Sequence, residues 1–263
     1  MKDDRTTDLV PATPEYVLDV IRDSHRQQCR FDPEADPSVA LTFETTVAEW
    51  RDACDLVDWR RLGRALDQEW RLGRPDASWR AVLEPARSQT LRDVCEFIAT
   101  GASRPVIRPL TTLGRSCRPA GAFLAIRSLL REAGTDVDQV SPSTPLHDYT
   151  RRHPAVFLGP ISRLAPNTLP AVGVSMPWYE ASSFAIPCIG LLLLIAGLFL
   201  GPGWTIAGVV VFLVGWAGSW LTAGLPPERV EFGDLRTFRD LARCLAESGD
   251  GQEGGHETHR AVS

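Results

Sequence analysis

His147, Asp148 and His153, with Tyr149 between them, are the cluster of proton-handling side chains that would be chosen if any were functional. Imidazole titrates nearest neutral pH, and a neighbouring carboxylate can orient it, so these residue types suit acid–base work. If the protein were an enzyme, His147, Asp148 and His153 would be its catalytic candidates; the plainer reading is a solvated loop. His256-Glu257-Thr258-His259 resembles a zinc-protease motif with one residue missing, so its two rings would not share a helix face. Its neighbours Gly249, Gly251, Gly254 and Gly255 favour a disordered tail. His25 and Cys29 stand four apart on a predicted helix, but no second pair completes a metal site. Phosphate-binding, nucleophile-elbow and dinucleotide-binding motifs are absent from the sequence. These observations predict no metal and no cofactor, and they favour a protein that is not an enzyme.

The longest organising feature is apolar. From Ala181 to Pro227, 47 residues pass without one Asp, Glu, Lys, Arg or His. Two runs, 184–200 and 204–223, flank Gly201-Pro202-Gly203 and predict a helical hairpin. About 20 helical residues cross a bilayer core, which makes a transmembrane hairpin the expectation. Trp178, Tyr179, Trp204 and Trp220 lie where amphipathic rings would meet the headgroups. Gly190, Gly197 and Gly201 on one run, and Gly208, Gly215 and Ser219 on the other, offer small faces for helix–helix packing. Arg163 upstream and Arg229, Arg236, Arg239 and Arg243 downstream predict an inner-membrane, two-pass protein with both termini cytoplasmic. Its expected partners are the lipid bilayer, an unidentified cytoplasmic protein and further copies of itself.

The rest of the chain reads as mainly α. Residues 1–12 are expected to be a flexible tail, 13–100 a helical region, 101–118 an extended connection, and 119–180 a second helical segment with a juxtamembrane linker. A helical segment over 228–247 and a disordered tail over 248–263 follow the hairpin. Thr13-Pro14-Glu15 opens a predicted helix to about Gln28, and Thr46-Val47-Ala48-Glu49 is a capping box. Asp58 is a predicted cap for a helix carrying Trp59, Leu62, Leu66 and Trp70, and Ser78 for a short one carrying Trp79. Trp50, Trp59, Trp70 and Trp79 predict a core built on indoles. Pro119–Ala133 predicts another helix, followed by a loop over 136–146, while Phe157–Leu164 predicts a short one. Net charge is −5, which argues against a nucleic-acid partner. The six cysteines have no paired spacing and read as isolated small hydrophobes.

Phe123 to Leu146, with Val140-Ser141-Pro142-Ser143-Thr144-Pro145-Leu146 as its loop, resembles the first helix and loop of an acyl-carrier-protein-like module. Arg236-Thr237-Phe238-Arg239-Asp240-Leu241-Ala242-Arg243 is similar to that family's last helix. The resemblance implies a small helical bundle interrupted by the hairpin. The family's phosphopantetheine-bearing Ser is missing from His147-Asp148-Tyr149-Thr150-Arg151-Arg152-His153, so carrier activity is not implied. Thr90–Ala99 also aligns without gaps on Thr237–Ala246. The simpler reading is two helices with the same cap; the sharper one is a repeated unit. The functional expectation is therefore a membrane-held helical module acting through protein contacts. A membrane-face enzyme or carrier-like protein near His147–His153, and a small hairpin oligomer, are the alternatives.

Overall fold

The computed structural model describes residues 7–30, 32, 34–56, 58–112, 114–175, 186–200, 202–222 and 229–247. It is mainly helical, with three two-stranded antiparallel or short sheets at the margins. The chain divides into a larger unit, Met1–Gly173 with Glu231–Ser263, and a smaller one, Val174–Val230.

The larger unit begins with β1 (Thr7–Pro11), where the sequence predicts a flexible tail. This segment pairs antiparallel with β2 (Ser103–Ile107), Thr7 opposite Ile107 and Pro11 opposite Ser103. Five residues with proline at one end carry little strand signal of their own; a partner almost a hundred residues away supplies the ladder. Short strands β3 (Leu110–Thr112) and β4 (Arg115–Cys117) likewise occupy the expected connection.

Helix α1 (Pro14–Gln28) starts where Thr13 and Pro14 place it, and Thr13 Oγ1 accepts the Tyr16 amide. Its inner face carries Tyr16, Val17, Leu18, Val20 and Ile21, all buried. Helix α2 (Val47–Ala53) has the predicted capping box, with the Glu49 carboxylate on the Thr46 amide at 2.8 Å. In α3 (Trp59–Trp70), Asp58 Oδ1 accepts the Arg60 amide at 2.9 Å, and Arg71 ends the helix in the left-handed region at φ 54°. Helix α4 (Asp76–Leu83) starts two residues before Ser78, because Pro75 sets its first turn. Helix α5 (Leu91–Ala99) packs on α1. Trp50, Trp70 and Trp79 are buried as expected. Trp59 instead lies at the edge of the core, under the guanidinium groups of Arg60 and Arg80.

Helix α6 (Arg118–Glu132) is followed by the predicted loop and then by α7 (His147–Arg152), a helix in what reads as an exposed loop. Helix α8 (Pro154–Val156) continues into a wide π-type turn at Phe157–Ile161 and a tight 3₁₀ turn at Ser162–Leu164. Proline at 160 removes one amide, and the irregular helix accommodates it. Strand β5 (Val172–Ser175) pairs with β6 (Arg229–Phe232), and α11 (Phe238–Glu247) closes the unit. It packs on α6, so segments on either side of the apolar stretch meet.

One hydrogen-bond scheme is built twice in this unit. The amide of Leu91 donates to Thr45, that of Arg92 to Phe43, and that of Val47 to Gln89. In the second half Phe238 donates to Thr144, Arg239 to Pro142, and Leu146 to Arg236. Thr46 bridges Thr90 as Pro145 bridges Thr237. The Thr42 amide donates to Thr45 Oγ1 at 2.8 Å, and the Ser141 amide to Thr144 Oγ1 at 2.9 Å. Both final helices carry the same box: Asp93 accepts from Thr90 and Asp240 from Thr237. The likeness of 90–99 to 237–246 is therefore part of a repeated unit, comprising a long helix, a hydroxyl-pinned loop, a short helix and a capped closing helix.

The two box carboxylates make a pH prediction. The Thr90 hydroxyl and amide hold Asp93 below its ordinary value, and those of Thr237 do the same for Asp240. A carboxylate depressed in the fold stabilises it above the unfolded value, about 4, and that contribution disappears as pH falls through the lower folded value. The urea midpoint is therefore expected to drop between about pH 5 and pH 3, and to drop less in Asp93→Asn/Asp240→Asn. Equal slopes for the two proteins would count against it.

The smaller unit contains α9 (Ile186–Leu200) and α10 (Pro202–Thr222), packed against one another as the predicted hairpin. The membrane reading is corrected here. Among the described residues, no helix is long and apolar enough to cross a membrane. Helix α9 rises only about 22 Å, against a core of roughly 30 Å. The expected two-pass inner-membrane placement with both termini cytoplasmic therefore does not hold. Trp178 and Tyr179 lie outside the described residues, as do Gly201 and the tail over 248–263. The side chains of Trp204 and Trp220 are likewise outside.

Candidate functional site

The sequence candidates for chemistry do not converge. His147 and Asp148 touch at 3.2 Å on α7, but their side chains are 68% and 63% exposed, so water screens the pair. His153 caps the far end of the same helix, and Tyr149 turns inward to stack edge-on against Phe238 at 5.2 Å. His147 is exposed and His153 half-buried at the opposite end of the helix, so the two do not line a common cavity.

A better-formed feature lies on α1. A cavity of about 700 Å³ opens between Arg22, His25, Arg26, Cys29 and Arg30, the segment 37–42, and Asn167 with Ala171. Arg22 and Arg26 stand on successive turns of α1, and Arg30 follows in the turn just past its end. The segment 162–172 is held to α1 from inside the protein. Buried Asp23 accepts from Ser162 Oγ and from Arg26 at 2.5 Å. Arg26 also donates to the Leu169 carbonyl at 2.6 Å, while Gln27 accepts the Val172 amide at 2.8 Å. Opposite, Arg22 Nε donates to the Leu41 carbonyl at 2.7 Å and fixes the 37–42 wall. His25 Nε2 lies 3.1 Å from the Asp36 carbonyl, an acceptor only, so that nitrogen carries the proton. Burial pushes the Cys29 thiol up, which keeps it protonated and a weak nucleophile.

His25 and Cys29 thus share a cavity without forming a metal centre, and no cluster of metal-ligating side chains occurs among the described residues. Sequence reasoning noticed their spacing but missed the cavity, whose other walls lie up to about 150 residues away. The spacing of Arg22, Arg26 and Arg30 was the available signal, and arginines on or beside a helix usually serve solvent.

The third feature is the hairpin surface. Gly190, Gly208 and Gly215 are buried, and a Cβ on Gly190 would stand 2.6 Å from the Phe212 backbone nitrogen. Gly190 therefore serves the hairpin's own closure, and large apolar side chains of both helices face outward. Leu192 is 65% exposed, Ile206 66%, and Val214 59%. The surroundings of Gly197 and Ser219 lie outside the described residues. No protein-family model, curated protein or solved structure matches this chain.

Proposed function

We propose that the protein is a non-enzymatic helical interaction module that self-associates through the α9–α10 hairpin. The observation that carries this reading is the outward apolar surface of the hairpin. Its exposed side chains leave on the order of 1,000 Å² in water, above the few hundred Å² usual for a monomer's largest patch. One side of a standard protein interface needs about 800 Å². The stretch carries no charge to match a charged partner, whereas a second copy brings an equally charge-free surface. The duplicated helical unit would then be presented in several copies by one assembly.

The test is the mass of the full chain in detergent-free buffer by sedimentation velocity. A multiple of 28.9 kDa is expected, falling to the single-chain mass in Leu192→Glu/Val210→Glu with its helical circular dichroism kept. Labelling of exposed Cys188 gives an independent reading, slow in the native assembly and fast in that variant. A single-chain mass for the native protein at tens of micromolar would overturn the proposal. So would flotation of single chains with phosphatidylcholine vesicles.

A further inference from the structure

We infer that Ser143 is a phosphorylation site whose phosphate pairs with Arg239. The comparison between the two halves of the repeat carries this. Their shared hydrogen-bond scheme sets the correspondence: the Arg92 amide donates to Phe43 as that of Arg239 does to Pro142, and Leu91 to Thr45 as Phe238 to Thr144. Ser143 therefore stands where Glu44 does, and Arg239 where Arg92 does. In the first half these positions hold an ion pair, Glu44 to Arg92 at 2.9 Å. In the second half the cation is kept and a hydroxyl replaces the anion. The Arg239 side chain is exposed and has no hydrogen bond or ion pair among the described residues. The acids nearest in sequence are engaged: Asp240 accepts from Thr237, and Glu231 lies 3.6 Å from Arg236. Arg236, three residues before, and Arg243, four after, are cations too, so no carboxylate stands at helical contact spacing from Arg239.

The loop's other hydroxyls pin it. Thr144 Oγ1 accepts the Ser141 amide at 2.9 Å, as Thr45 Oγ1 accepts that of Thr42 at 2.8 Å. Ser141 Oγ lies 3.1 Å from Thr144 Oγ1, matching Thr42 and Thr45 at 3.4 Å. Ser143 is the hydroxyl with no counterpart in that pin. It is exposed, and among the described residues its Oγ meets only the Ser141 hydroxyl, at 3.1 Å. A serine phosphate carries a charge of about −1.5 to −2 and three acceptor oxygens, so it supplies the anion that Glu44 supplies and can engage a guanidinium with two oxygens at once. In the transfer, Ser143 Oγ bonds to the terminal phosphorus of a nucleoside triphosphate, the bond from that phosphorus to its bridging oxygen breaks, and the nucleoside diphosphate leaves. The hydroxyl proton passes to the kinase's base. The first half thus holds its ion pair permanently, whereas the second gains one only when modified, which tightens the loop onto α11.

Phosphorus NMR of the full chain carrying phosphoserine at position 143, inserted during translation, tests the pairing. The second ionisation of a serine phosphate lies near about pH 6. It is expected below that in the folded chain, because the guanidinium favours the dianion, and at its ordinary value in urea. Arg239→Gln, which keeps the backbone bond to Pro142, should restore the ordinary value in the folded chain. Ser143→Glu, the first half's own arrangement, should slow hydrogen exchange of the α11 amides roughly two- to fivefold, the scale of an exposed ion pair, and Ser143→Glu/Arg239→Gln should not. Peptide mapping of the protein isolated from its own organism should find phosphate on Ser143. An unshifted phosphate, a shift that survives Arg239→Gln, unchanged exchange in Ser143→Glu, or isolated protein without phosphate on Ser143 would each overturn the inference.

Discussion

Trp79→Ala is expected to lower the unfolding free energy by about 3–5 kcal/mol, the range for deleting a buried aromatic ring. Trp79 is 1% exposed and stacks edge-on against Phe97 with centroids 4.9 Å apart. Its Nε1 donates to Asp67 at 3.1 Å, and the same carboxylate oxygen accepts the Arg74 amide at 2.7 Å. The indole thus joins α3, α4 and the turn that follows α3. The hole it leaves cannot close easily, because α3 already approaches through Gly63, where a Cβ would stand 2.9 Å from the Trp79 Cβ. Trp79→Phe keeps most of the volume and loses one hydrogen bond, so a cost nearer about 1–2 kcal/mol is expected. Urea unfolding followed by far-ultraviolet circular dichroism measures both. A Trp79→Ala cost below that of Trp79→Phe would show that the core is not centred on this ring.

Phe238→Ala is the second large effect, again about 3–5 kcal/mol, and it acts on the other half of the repeat. The ring is fully buried and stacks edge-on with Phe123 at 6.5 Å and with Tyr149 at 5.2 Å. Its amide donates to the Thr144 carbonyl at 3.2 Å, so it stands where α11, α6 and α7 join. Its counterpart Leu91 performs the same closure between α5 and α1. Native-state hydrogen exchange distinguishes local from global loss. Amides of α6 and α11 should lose protection first in Phe238→Ala, while those of α1 and α5 keep theirs. Uniform loss throughout the larger unit would show that the two halves unfold as one.

Local chemistry was legible where it is local. The Thr13, Thr46, Asp58 and Thr90 caps are where a short polar side chain meets free amides, and each helix starts within two residues of its signal. The short helix over 157–164 was legible, but its π-type and 3₁₀ geometry, and α7 itself, were hidden because their backbones are shaped by packing around Phe157 and Phe238. The repeat was visible in sequence only over ten residues. Its other half is a hydrogen-bond scheme between backbone groups, which different side chains can make equally well. Thr46 and Pro145 occupy the same bridge position for that reason.

The apolar stretch shows the same division. Its composition and its turn determine a helical hairpin without help from the rest of the chain, since a charge-free run satisfies its own amides as a helix. Composition cannot determine what surrounds that hairpin. The direction of the glycines is a matter of which faces meet, and Gly190 against Phe212 shows the two helices meeting each other. The α1 cavity belongs wholly to tertiary structure, because Arg30 and Ala171 become neighbours only when Asp23, Arg26 and Gln27 draw 162–172 onto the helix. Short-range chemistry is written along the chain, whereas surfaces and enclosed volumes arise only from segments brought together.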